Sequence, residues 1–313
     1  MIQEINRAGR YTGCLLGLAL GDALGTTQEF KKRGTNDAIK DIIGGGPYEL
    51  NAGEWTDCTS MSMCVTESLI EQHRFIALDI MSRLLEWHEN GYWSARDFCF
   101  GISDDVRNVV QQFKKDTSSA KHASMNDGKN SSDSLSRLAP IPLFFLKDPE
   151  LAISSSIESV KLTHNSEQCV DAGILLTNIL LGALLGENKE VILAENYQSG
   201  NLDKQPYKYC DRIAEIANCS YKEKPEFYIK SDNNAANSLE AALWAFHNSS
   251  NFKEGALLAA NLGENSATSA SVYGQIAGAY YGIDGLPDNW LRKLAFLKKI
   301  RECAENLWLA SLK

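Results

Sequence analysis

An all-α fold is the class this sequence predicts, and three observations carry it. Apolar residues recur at three- and four-residue spacing through 10–24, 61–73, 77–88, 166–185, 239–247, 254–262, 270–281 and 290–309, the period of one helical face. No stretch competes with the two-residue alternation of a half-buried strand. Glycines repeat every four residues near both ends, at Gly13, Gly17, Gly21 and Gly25 and again at Gly274, Gly278 and Gly282. Each glycine inside a helix costs about 1 kcal/mol against alanine, so two such rows predict helix backbones that approach a neighbour closely, beside one cleft.

The first apolar stretch contains "CLLGLALGDALG", which would read as a signal sequence did Asp22 not interrupt it. The second, "SMSMCVTESLIEQ", follows Thr56 and Asp57, residue types that favour the N-terminal end of a helix. Residues 114–134 and 197–237 are polar, and the latter encloses a short helix candidate, "CDRIAEIAN". Apolar helices flank both stretches and have no separate cores, so both read as surface loops of a single domain spanning 1–313. The longest apolar run, "ILLTNILLGALLG", falls short of the roughly 20 residues of a membrane span.

Composition narrows the function. With 44% hydrophobic and 23% charged residues, the 313-residue chain has enough apolar material for a substantial core. A net charge of −9 gives no electrostatic footprint for nucleic acid or an anionic membrane. The eight cysteines form no CxxC pair, which predicts free thiols in a reducing compartment and a cytoplasmic protein.

The stretch "GEWTDCTSM" gathers Thr56, Asp57 and Thr59, three oxygen side chains suited to a hard cation, around Cys58. Together with "GCLLGLALGDALGTTQEF" before it and "NLGENSATSASVYGQIAGAYYG" near the end, it resembles the three signatures of the ADP-ribosylglycohydrolase family, which includes the dinitrogenase-reductase-activating glycohydrolases. "RLAPIPLFF" and "LTH" match in order between them. The resemblance implies an all-helical domain whose cleft holds two magnesium ions and an ADP-ribosyl group. Such proteins draw metal ligands from a Thr-Asp-Asp-Thr run and a late Asp-x-Asp-Thr run, with a glutamate of the first signature over the ribose.

Carried over residue by residue, the resemblance retains Glu29 as the ribose-side carboxylate, Thr56, Asp57 and Thr59 from the first metal run, and Thr268 from the second. Ser132 and Asp133, on the loop before "RLAP", join Glu29, Thr56 and Asp57 as expected substrate contacts. Four family acids are missing: Cys58, Asn265 and Ala267 replace metal-run aspartates, and Gly101 replaces one near the substrate. A thiol is a poor ligand for a hard ion and alanine is none, so any remaining magnesium site is expected to be weak or empty, with no cofactor. The expected function is accordingly binding without hydrolysis, of ADP-ribose, an ADP-ribosylated protein or an ADP-ribosyltransferase.

Two other readings stay open. One is an active ADP-ribosylhydrolase, magnesium-dependent, with ligands relocated to Asp104, Asp105, Asp133 or Glu264; the other is a purely structural use of the fold. Bland roles also stand beside the functional ones. Glu29 could be a surface carboxylate near Lys31, Lys32 and Arg33, and His164 a packing histidine. Cys58 near a helix start could be an activated thiol, though no histidine adjoins it in sequence.

Overall fold

The computed structural model describes residues 2–35, 37–118, 129–200 and 207–313. Parts of both predicted polar loops, 119–128 and 201–206, lie outside the described residues. Among those described, fifteen α-helices and no strand are present: α1 (Ile2–Gly25), α2 (Asp57–Gln72), α3 (Ala77–Asn90), α4 (Asp104–Lys115), α5 (Asp133–Ser136), α6 (Pro140–Phe144), α7 (Pro149–Lys161), α8 (Glu167–Leu185), α9 (Lys189–Ile192), α10 (Asp211–Ala217), α11 (Ala235–His247), α12 (Phe252–Asn261), α13 (Ser266–Tyr281), α14 (Asp288–Leu291) and α15 (Leu297–Ser311). The all-α expectation holds, and "CDRIAEIAN" contains α10.

The glycine rows meet each other. Helices α1 and α13 run antiparallel and make the most extensive contact between any two elements described. A β-carbon on Gly13 would lie 2.4 Å from the Gly278 carbonyl oxygen, on Gly17 2.4 Å from that of Gly274, on Gly21 2.0 Å from that of Ala270, and on Gly25 2.3 Å from that of Ser266. Real β-carbons do not approach backbone this closely, so hydrogen is the only substituent these four positions accept. The pairing brings the C-terminal end of α1 to the N-terminal end of α13, and Glu29 follows one 3₁₀ turn later.

Helix α8 is predominantly apolar and buried from Asp171 to Leu184, as expected of a helix at the centre of a core. Its 19 residues are long and apolar enough to cross a membrane by length and composition, so the expectation of too short a run is corrected. Residues 290–309 are not one helix. The chain breaks between α14 and α15, where Ala295 donates its N–H to the Gly53 carbonyl at 3.0 Å and Phe296 takes a left-handed φ of 50°.

Helices α4 and α7 were not anticipated. Helix α4 buries Val106, Val109, Val110 and Phe113, a helical spacing inside an otherwise polar stretch, and Ser103 caps it through the Val106 N–H. In α7, Asp148 accepts from the Leu151 N–H and Pro149 opens the first turn, both ordinary start signals.

Candidate functional site

A cavity of about 580 Å³ opens where the ends of the first signature, the second and the late one converge. Asp57, Asp104, Asp133 and Ala267 on its wall stand at the N-terminal ends of α2, α4, α5 and α13. Four helix starts therefore border one space.

Two carboxylates hold the principal helix starts from outside their own helices. Asp22, fully buried on α1, accepts from the Thr56 hydroxyl at 2.6 Å, the Thr59 hydroxyl at 2.7 Å and the Thr59 N–H at 2.9 Å, and the Thr56 N–H is 3.1 Å from both its oxygens. It is this carboxylate, not the side chain of Thr56, that caps α2. Burial raises Asp22 above its ordinary pKa despite these four donors. Sequence reading saw Asp22 only as an interruption of an apolar run; its four-residue offset from Leu18 on a buried helix was the available signal. Asp22→Ala would strand four buried donors, at about 1–3 kcal/mol for each that finds no substitute. We expect that variant to unfold at markedly lower urea than the parent; superimposable curves would show that α2 starts without it.

Glu29 does the same for α13, accepting from the Ala267 N–H at 2.7 Å and, more weakly, from the Ser266 hydroxyl at 3.3 Å. It is buried, which removes the surface reading. Burial pushes its pKa up to about 8 even against those donors, and the nearby Asp22 and Asp133 charges push the same way. Asp57 is raised well above the carboxylate range by burial, then by Asp133, Asp22 and Glu29.

Asp133 is treated differently. Burial raises it, but His164, Ser131 and Ser103 outweigh that and leave it below its ordinary value. Ser103 donates to it at 2.9 Å and Ser131 donates to the same oxygen. His164 Nε2 stands 3.4 Å from an Asp133 oxygen, without a hydrogen bond. Behind it, His164 Nδ1 lies 2.7 Å from the Thr163 hydroxyl, which accepts from buried Arg137 at 2.6 Å. The residues of "LTH" and "RLAP" thus support Asp133, and His164 is more than packing.

Several expected contacts need correction. Thr59 does not line the cavity, because its hydroxyl is turned to Asp22. Ser132 is also absent from the wall, since its hydroxyl donates to Asn233 at 2.9 Å and accepts from Asn265 at 2.8 Å. Ser131 to Ser134 are buried rather than a surface loop. Asp105 pairs with Lys129 at 2.7 Å, off the cavity; Asp104 lines it while paired with Arg107 at 2.5 Å. Glu264 lines it with an exposed side chain. Asp232 and Asn233, inside the stretch read as a polar loop, reach the wall without having been anticipated.

The residues present do not fit two magnesium ions. Cys58 is buried off the wall, 3.7 Å from the Thr268 hydroxyl, and burial first, then Asp57 and Asp22, push its thiol well above its ordinary value, the reverse of an activated thiol. Asn265 aims its NH₂ at Ser132 and Ser238 while its oxygen faces Thr268 at 3.3 Å, and Ala267 offers only an N–H that Glu29 already holds. Asp57 is the one carboxylate of the two metal runs. Among the described residues, no three His, Cys, Asp or Glu side chains are grouped to hold a metal ion. At Gly101, φ is 75°, left-handed backbone that favours glycine, and a β-carbon would sit 2.9 Å from an Asp57 oxygen, so an acid there would be strained and would have to displace the Asp57 carboxylate.

Comparison with known proteins agrees with the fold. The family profile described as ADP-ribosylglycohydrolase matches residues 3–313. The chain is 36% identical to ADP-ribosylarginine hydrolase Tri1 of Pseudomonas putida, over 96% of this chain and 78% of that protein. It is 33% identical to the Serratia proteamaculans protein of the same name, over 98% and 81%. A solved structure described as an ADP-ribosylglycohydrolase-related protein complex superposes with a TM-score of 0.85 at 31% identity, covering 98% of this chain and 99% of that one.

Proposed function

This chain belongs to the ADP-ribosylglycohydrolase family, and from that premise we propose that its cavity receives the ADP-ribosyl group of a modified protein and holds it without the family's metal-assisted hydrolysis. The observation that carries the proposal is the state of the two metal runs, in which Cys58, Asn265 and Ala267 are engaged or inert while the cavity itself is intact. A volume of about 580 Å³ is within the range of ligand pockets. Glu29, which retains its proton near neutral pH, can donate to a ribose oxygen, and Asp133, which stays ionised, can accept from a ribose hydroxyl. Each such bond contributes about 0.5–1.5 kcal/mol net, so affinity for ADP-ribose is modest.

A second reading is hydrolysis of ADP-ribosylarginine, and the names of the relatives at 36% and 33% identity favour it over simple binding. One experiment separates the two. A protein ADP-ribosylated on arginine is incubated with this chain in magnesium and in EDTA, and free ADP-ribose is measured alongside retention of the modified protein. The first reading expects retention with no release above buffer. Rapid release abolished by EDTA establishes the second and overturns the first, and neither release nor retention of the modified protein overturns both.

A further inference from the structure

The cavity continues into a second lobe of about 420 Å³, and Lys32, Asp232 and Glu264 line both. The three most exposed large apolar side chains among the described residues stand on this side of the molecule: Phe227 at 84%, Phe30 at 68% and Tyr228 at 67%. Phe30 lines the cavity and Phe227 the lobe; the Phe227 and Tyr228 rings meet edge to face at 5.5 Å. Water-facing aromatics clustered beside a cavity mark a contact surface rather than chance exposure.

These side chains are held in place. Arg33 donates to the carbonyls of Glu226 and Ile229, pinning the turn that carries Phe227 and Tyr228. Phe30 and Glu264 both occupy left-handed backbone, at φ 61° and 54°, and are locked together: the Phe30 N–H donates to Glu264 O at 2.6 Å, and the Glu264 N–H to Lys31 O at 2.7 Å. Left-handed backbone is costly for a bulky residue and persists only where neighbours enforce it. Here it turns a phenylalanine outward at the junction of the two lobes.

We propose that this shelf docks the polypeptide that carries the ADP-ribosyl group, taking an apolar side chain against Phe227 and Tyr228 and an acidic one at Lys32 and Lys230. The proposal rests on the ADP-ribosyl reading of the cavity. Continuity supports it, since a protein attached to a group seated in the cavity must leave through its open side. So does charge: in a chain of net charge −9, the lobe brings together Lys32, Arg33 and Lys230 against Asp232 and Glu264, and Asp232 already accepts from Asn237 at 2.8 Å.

The test uses two peptides with one ADP-ribosylated arginine each, one flanked by phenylalanine and glutamates, the other by glycines and lysines, with free ADP-ribose as reference. The acidic–aromatic peptide should bind at least about tenfold tighter than the other, equivalent to about 1.4 kcal/mol. The Phe227→Ala/Tyr228→Ala variant, and separately Lys230→Glu, should erase that gap and leave ADP-ribose affinity unchanged. Equal binding of both peptides and free ADP-ribose overturns the shelf while the cavity reading stands. Failure of ADP-ribose itself to bind overturns both. Concentration-dependent dimerisation abolished by Phe227→Ala would assign the shelf to a second copy and also overturn the proposal.

Discussion

Gly274→Val unfolds this protein at temperatures the parent survives. A β-carbon at Gly274 would lie 2.0 Å from the Gly17 carbonyl oxygen and 2.6 Å from its carbon, and neither atom can move without moving α1. Overpacking a tight core usually costs about 1–3 kcal/mol, and a collision with backbone along the most extensive helix contact belongs at or above the upper end of that range. Gly9→Ala is the matched control. Its β-carbon would meet only Ile283 Cγ2, at an ordinary 3.6 Å, so the better helix former should leave stability unchanged or raise it by about 0.5–1 kcal/mol. Thermal melts of the two variants check both directions; similar midpoints would mean that α1 and α13 are not packed backbone to backbone.

The second large effect is a change of sign. Cys58→Asp, Asn265→Asp and Ala267→Asp together return three carboxylates to a space that already holds Glu29, Asp57 and Asp133. Without magnesium, like charges in a buried site repel, and the triple variant should melt below the parent. With magnesium it should recover, by about 2.7 kcal/mol when the ion is at 100 times its dissociation constant. The parent should show no magnesium dependence. Each single change should do less, because residues sharing one site are not additive. Gly101→Asp is left out, since the left-handed φ of 75° at that position strains any side chain. A folded triple variant indifferent to magnesium would show that the backbone no longer presents the two runs to one ion.

Much of the fold was legible because it rests on local rules. The glycine rows announced close helix contact, and the structure pairs them with each other. The break at Phe296 was not legible, because it answers to Gly53, far away in the chain. The same distinction divides the site. The lost acids at 58, 265 and 267 could be read from motifs, and so could the survival of Glu29 and Asp57. That Thr59 and Ser132 turn away from the cavity could not, since each is claimed by a partner from another segment, Asp22 for the one and Asn233 for the other. Asp232 and Asn233 sat in a stretch whose composition says loop, and composition does not tell where a loop is folded back.

The antiparallel contact of α1 with α13 also bears on how the molecule is made. Its partners stand on the order of 250 residues apart, and closing so long a loop costs conformational entropy before any contact compensates. Until α13 has left the ribosome, α1 exposes a bare glycine face, Asp22 and Glu29 with one of the two helix starts they serve still missing. The two halves of the cavity therefore form late and together, and a chain stalled before Ser266 has neither the cleft nor the contact that shapes it.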